Sequence, residues 1–201
     1  MADVVLLRHG ETEWSVQRRH TGRTDIPLTP EGEEQARQAS RLVGGHPFSL
    51  VLSSPLRRAR ETAELAGLSP IVTDERLVEW DYGAYEGRTT AEIRETEGAA
   101  WSIWTAHVSP GVTPGEQLAD VAARADAVLL HIRAALVTGD VAVVAHAHLL
   151  RVLTSRWLGM PPADGALLML GAGSVSVLGE EHGAPAISRW NLDPTVTERL
   201  T

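Results

Sequence analysis

The stretch VVLLRHGETEW, residues 4–14, sets an arginine and a histidine side by side at the end of an apolar run. Two similar junctions follow. SLVLSSPLRRARETAE carries Arg57 and Arg58 just past an apolar stretch, and DVAVVAHAH ends in His146 and His148. A guanidinium is a planar fork suited to pairs of phosphate oxygens. An imidazole nitrogen can attack phosphorus and carry the phosphoryl group covalently. Arg8, His9, Arg58 and His146, if gathered together, would form a phosphate pocket in which positioning and charge stabilisation support phosphoryl transfer without a metal. Taken singly, each has an ordinary reading. A lone histidine is more often a hydrogen-bonded structural residue, and Arg58, with Arg57, Arg60 and Glu61 around it, suits a solvated helix face. HAH also admits a metal reading, with His146 and His148 on one face of a continuing strand. No cysteine or evident third ligand accompanies the pair, so no metal and no cofactor are expected.

The order of elements can bring these residues together. Apolar runs at Val4–Leu7, 49–54, 140–148 and 174–181 read as strands. Thr29, with Pro30 behind it, reads as the cap of a helix from about Glu31 to Val43. Pro55 opens a second helix, and 90–105 and 117–136 carry helical patterns, the latter with Leu118, Val121, Ala125, Val128, Leu129 and Ile132 on one face. LLRVLTSRWLG is a further helix. Strands apolar throughout, separated by helices, predict an α/β three-layer sandwich: a mostly parallel sheet with helices on both faces. Ligands of such sheets bind beyond the carboxyl ends of the strands, where Arg8-His9, Ser53-Ser54 with Arg57-Arg58, and His146 fall.

Composition narrows the partners. The 201 residues suit a single domain over 1–201, and the formal charge of −8 is unfavourable to broad nucleic-acid or anionic-membrane binding. All 18 cationic side chains are arginine, and there is no cysteine. No apolar run nears the roughly 18 residues a membrane span requires, and MADVVLL lacks the basic region of a secretory signal. A cytoplasmic protein with a small-molecule partner is expected. Oligomeric state stays open, a homodimer included.

The motifs also carry a family likeness. LLRHGETEW resembles the signature of the histidine phosphatase superfamily, and LTPEG, SSPLRRARETAE, EWDYGAYEG, PGEQ and VVAHAH follow in that family's order. The resemblance implies a phosphoglycerate mutase-like fold. It further implies a phosphohistidine at His9, phosphate clamps at Arg8 and Arg58, His146 completing the pocket, and Glu79 of VEWDYG as proton donor to the leaving group. A carboxyl in that role must donate from its neutral form, which suits acidic operation. Thr21 and Gly22 fall where the family contacts phosphate, with Thr12 a weaker candidate. Trp80, Tyr82, Trp101 and Trp104 would wall the substrate, although the i, i+3 tryptophans of WSIW suit packing from one helix face equally well.

Three departures from the family pattern are visible. Ser15 stands where many relatives have asparagine, altering one hydrogen bond near phosphate unless His20 supplies it. Ala147 follows His146 where glycine is usual, adding a methyl that predicts a smaller or shifted site. Trp80, not arginine, follows Glu79, and the segment to Pro114 is short, with only Arg88 and Arg94. The last departure favours a hydrolase over a mutase. The expected reaction is hydrolysis of small phosphomonoesters, sugar phosphates or similar, in the branch resembling sedoheptulose-bisphosphatases and actinobacterial acid phosphatases. The alternatives are a phosphoglycerate mutase-type phosphotransferase and a binding or regulatory protein of the same fold.

Overall fold

The computed structural model describes residues 2–194. Met1 and residues 195–201, part of the domain expected over 1–201, lie outside the described residues. The sheet holds β1 (Val4–Arg8), β2 (Leu50–Ser53), β3 (Val72–Thr73), β4 (Val141–Ala145), β5 (Val175–Glu181) and β6 (Ala184–Leu192), in the order β3-β2-β4-β1-β5-β6. The first four pair in parallel; β5 runs antiparallel to both β1 and β6. The helices are α1 (Glu13–Val16), α2 (Pro30–Val43), α3 (Arg57–Leu65), α4 (Thr90–Glu97), α5 (Leu118–Ala135) and α6 (Ala147–Trp157). None is long and apolar enough to cross a membrane.

Alternation along β1 explains why the strands are apolar throughout. Val4 and Leu6 join a cluster with Val121, Ala125 and Val128 of α5 and Leu149 and Leu153 of α6. Val5 and Leu7 point the other way, into a cluster with Ala39 and Val43 of α2 and Ala59 and Ala63 of α3. Each face is covered by a helix pair, so neither has room for polar side chains. The result is the expected three-layer α/β sandwich. Thr29 caps α2 by accepting the Gly32 amide, with Pro30 at the first helical position.

Four local expectations are corrected. The apolar runs predict no strand after 174–181, yet β6 follows; half-buried to exposed along its length, it lacks the apolar run that marks the inner strands. The helix expected over 90–105 stops at Glu97, where Gly98 takes φ +103 and releases the chain into turns. Trp101 and Trp104 therefore do not share a helix face. α3 starts at Arg57, with Leu56 rather than Pro55 at its entrance. Finally, β4 ends at Ala145, His146 caps α6, and His148 lies inside that helix. The strand face that HAH needed for a metal pair does not exist.

Candidate active site

β1 and β4 are adjacent and parallel, so Arg8 lies beside Ala145 and the chain leaves both strands on the same edge. His9 is 5% exposed, with its amide bonded to the Ala145 carbonyl. Its Nδ1 lies 2.7 Å from the Gly10 carbonyl. Only a protonated Nδ1 can donate there, which leaves Nε2 with its lone pair. Burial, then the Arg58 and Arg8 charges, hold the His9 pKa well below the ordinary histidine value. His9 is thus a neutral, oriented imidazole. Gly10 is required by close approach: a Cβ there would sit 2.2 Å from the Gly32 carbonyl at the start of α2.

Arg8 bonds the Leu170 carbonyl at 2.5 Å through Nη1, while its buried Nε has no partner among the described residues. Burial lowers its pKa, the Glu79 carboxylate opposing the shift. An arginine stays cationic through such a shift. An unsatisfied buried donor on a cation is what an incoming anion would relieve. Arg58 is fully buried and far more committed. Its Nε donates to His146 Nδ1 at 3.2 Å, Nη1 to Thr24 O at 2.9 Å, and Nη2 to Thr21 O and Gly22 O at 3.2 and 3.0 Å. Since Arg58 can only donate, His146 Nδ1 must accept, and His146 Nε2–H is left to donate to Ser54 Oγ at 2.8 Å. Burial and Arg58 keep the His146 pKa well below the usual value.

Glu79 arrives from the irregular segment between β3 and α4. Its Oε1 accepts the Trp80 and Leu149 amides at 2.9 Å each, and Oε2 the His148 amide at 3.0 Å. The carboxylate sits against the first turn of α6, where amides lack helical acceptors. Arg124 of α5 pins this segment, bonding the Arg76 and Val78 carbonyls and pairing with Glu116 at 2.8 Å. Glu116 in turn accepts the Asp81 amide.

These groups surround a cavity of about 270 Å³. Of the expected residues, Arg8, His9, Glu79, Thr21, Ser15, His20, Tyr82 and Ala147 line it. Arg58, His146, Gly22 and Trp80 do not. The first two form the buried support behind the floor. Gly22 lies too close to the Trp80 carbonyl for a Cβ, which would sit 2.4 Å away. Trp80 is fully buried and donates Nε1 to Glu116 O, so it is core and not a substrate wall. Trp101 and Trp104 also stand behind the lining, edge-on to His20 and His148 respectively.

Hydrogen bonding reorders the candidates at the floor. Ser15 Oγ spends its only hydrogen on the Thr12 carbonyl, within a capping box at the start of α1. Thr12 Oγ1 only accepts, from the Ser15 amide, so its hydrogen stays available to a ligand. His20 Nδ1 lies 2.9 Å from the Arg88 carbonyl, so the neutral ring presents a lone pair, not a donor. Among the residues that the motifs did not flag as lining are Arg18, Arg19, Thr90 and His148. His148 Nδ1 is 2.6 Å from Tyr82 Oη, and its ring lies parallel to His20 at 6.2 Å. The HAH motif marked His148 only as a metal candidate on a strand, and nothing local marked Arg18 or Thr90. Ala147 is the first helical residue of α6, its N–H without a helical acceptor and its methyl at the cavity wall.

The model of the histidine phosphatase superfamily (branch 1) matches residues 4–193. This chain belongs to the histidine phosphatase superfamily. It is similar to an acid phosphatase of Mycobacterium tuberculosis, 41% identical across 90% of this chain and 87% of the relative. A sedoheptulose 1,7-bisphosphatase of Saccharomyces cerevisiae is 33% identical over 78% of this chain and 67% of its own length. Among solved structures, an M. tuberculosis open reading frame product superposes with TM-score 0.89 at 39% identity, covering 96% of this chain and 98% of that one. This histidine phosphatase is accordingly an enzyme, and its phosphoglycerate mutase-like α/β fold is that of its relatives. Within it, a neutral imidazole, an under-bonded guanidinium and a carboxyl meet in one small cavity, a set able to transfer a phosphoryl group and move a proton.

Proposed function

We propose that this histidine phosphatase hydrolyses small phosphomonoesters, sugar phosphates or similar, through a covalent phosphohistidine at His9. The observation that carries the reading is His9 itself. Its Nδ1 is tied to the Gly10 carbonyl and its pKa is depressed, so Nε2 offers a lone pair beside the unpartnered Nε of Arg8. Nε2 attacks phosphorus as the bond to the ester oxygen breaks, and Glu79 delivers a proton to the departing alkoxide. The Glu79 carboxylate then takes a proton from water as that water attacks phosphorus. The P–N bond breaks, phosphate leaves, and Glu79 is again protonated. Arg8, the Thr12 hydroxyl and the Ala147 amide bind phosphoryl oxygens. Arg58, itself held by His146, ties down the Thr21–Thr24 loop and adds positive potential from behind.

The cavity, about 270 Å³, is smaller than the roughly 300–1,000 Å³ of drug-sized sites. That size supports a small-molecule substrate. The names of the relatives, an acid phosphatase and a sugar bisphosphatase, support the same class. The test is an alkaline quench of enzyme with labelled substrate. Acid-labile, base-stable label should appear on the protein and be absent from His9→Ala, with kcat down at least about a thousandfold in that variant. Turnover surviving in His9→Ala would overturn the mechanism, and isomerised product in excess of free phosphate would establish a mutase instead.

A further inference from the structure

Positive charge in the cavity is not confined to its floor. Arg8, His9 and Glu79 lie deep, whereas Arg18 is exposed at the rim and Thr90 half-buried beside it. Arg19 also lines the rim, but it is occupied: Nε donates to Gln17 and Nη1 to the Gly87 carbonyl, with Glu92 in its field. Among the described residues, the Arg18 guanidinium and the Thr90 hydroxyl have no hydrogen-bond or ion-pair partner. The only carboxylate lining the cavity is Glu79, at the floor.

The backbone of Arg18 is also unusual. It takes φ +57, a left-handed conformation that costs a branched or bulky residue energy and that glycine or asparagine adopts more readily. The turn is closed by the Arg18 amide on Ser15 O and the Arg19 amide on Trp14 O. A long cation at a position better suited to glycine, at the mouth of a phosphate cavity and without a protein partner, is strain kept at a binding site.

We infer that Arg18, with the Thr90 hydroxyl, binds a second anionic group of the substrate, a phosphate or carboxylate remote from the phosphoryl group that meets His9. The inference rests on the phosphatase reading above and names its substrate class: small phosphomonoesters bearing a second anion. The rings of His20, Tyr82 and His148 line the same cavity and suit a polar spacer of sugar size. Arg18 acts here on selectivity and not on the chemical step.

The test separates binding from turnover. In a His9→Ala background, calorimetry should find fructose 1,6-bisphosphate bound about tenfold more tightly than fructose 6-phosphate, as a charge-assisted contact at an open rim provides. Adding Arg18→Asn, which suits the left-handed backbone, should erase that preference, and Arg18→Lys should restore part of it. With His9 present, Arg18→Asn should lower the ratio of kcat/KM on the bisphosphate to that on p-nitrophenyl phosphate about tenfold, through KM. Equal binding of the two sugars, or a ratio unmoved by Arg18→Asn, would overturn the rim site. Failure of the phosphatase reading would instead appear as wild-type enzyme that forms no His9-linked phosphate, while the calorimetric preference still decides the role of Arg18.

Discussion

Arg58 and His146 behave as one unit at the scale of single residues. The guanidinium satisfies three loop carbonyls and His146 Nδ1, and His146 passes the last hydrogen to Ser54. Removing either leaves the other buried with one hydrogen bond unmade, so Arg58→Ala, His146→Ala and the double variant should lose similar catalytic efficiency, roughly a hundredfold or more. A double-mutant cycle should show strong coupling, and additive losses would separate the two roles. Glu79→Gln tests the carboxyl differently. A carboxamide offers one acceptor oxygen, and its NH₂ would face amides that now donate to Glu79. If Glu79 is the proton donor as proposed, kcat should fall by about 10²–10⁴-fold on substrates with poor leaving groups. The mismatched amide should cost about 1–3 kcal/mol of stability by chemical denaturation. An activated ester such as p-nitrophenyl phosphate should suffer least, since its leaving group needs less protonation.

Among the elements, the decisive contact is between the turn after β1 and the first turn of α2. Gly10 and Gly32 let the two backbones touch: a Cβ on Gly32 would fall 2.1 Å from the Glu11 carbonyl. Gly32 lies inside a helix, where replacement by alanine ordinarily gains about 0.5–1 kcal/mol. Here Gly32→Ala should instead destabilise by about 1–3 kcal/mol, as overpacking does, and shift the turn that carries His9. Its denaturation midpoint falling together with kcat would show that α2 and the His9 turn share this contact; a gain in stability would refute it. The close fit also gives a physical reason for a glycine in RHG and another in TPEG. The same scale explains Glu79, whose position depends on Arg124 and Glu116 holding residues 76–81 against α5.

Titration of the interior is a property of the whole molecule. His9, His146 and His148 have pKa values held well below the ordinary one, and His20 a lowered one, with desolvation the leading cause in each. His148 is half-exposed by area, yet its ring is enclosed by Tyr82, His20 and Trp104. The unfolded chain therefore takes up protons first, near the free histidine value of about 6.5. Each group's contribution is present above that pH and lost as pH falls toward its folded pKa. Thermal midpoints should decline from pH 7 to pH 5, less steeply in His148→Asn; a flat profile would contradict the burial of these rings. The same shifts keep His9 unprotonated into mildly acidic conditions. Vanadate or phosphate in the cavity should raise the midpoint through the otherwise unpaired Arg8 Nε.

The layers, and the polar groups that gather at the strand ends, are legible in local pattern. Val4–Leu7 and 141–145 are apolar on both faces because helices cover both, and a strand so buried can change to polar residues only where it leaves the sheet. Arg8, His9 and His146 were legible for that reason, and Thr29 for its cap. The tertiary structure alone decided which polar groups reach the cavity. Arg58 reads as a surface helix arginine until a loop 34 residues earlier in the chain wraps its guanidinium. Trp80 reads as a wall until Glu116 claims its indole. β6, half-exposed, lacks a periodic signal, and Arg18 and Thr90 come to line one cavity through the bridge that joins Arg19 to Thr89. Burial is written into local pattern because it repeats along an element. Hydrogen-bond partners distant in sequence leave no such pattern, and they are what separates donors free to bind substrate from those spent on the fold.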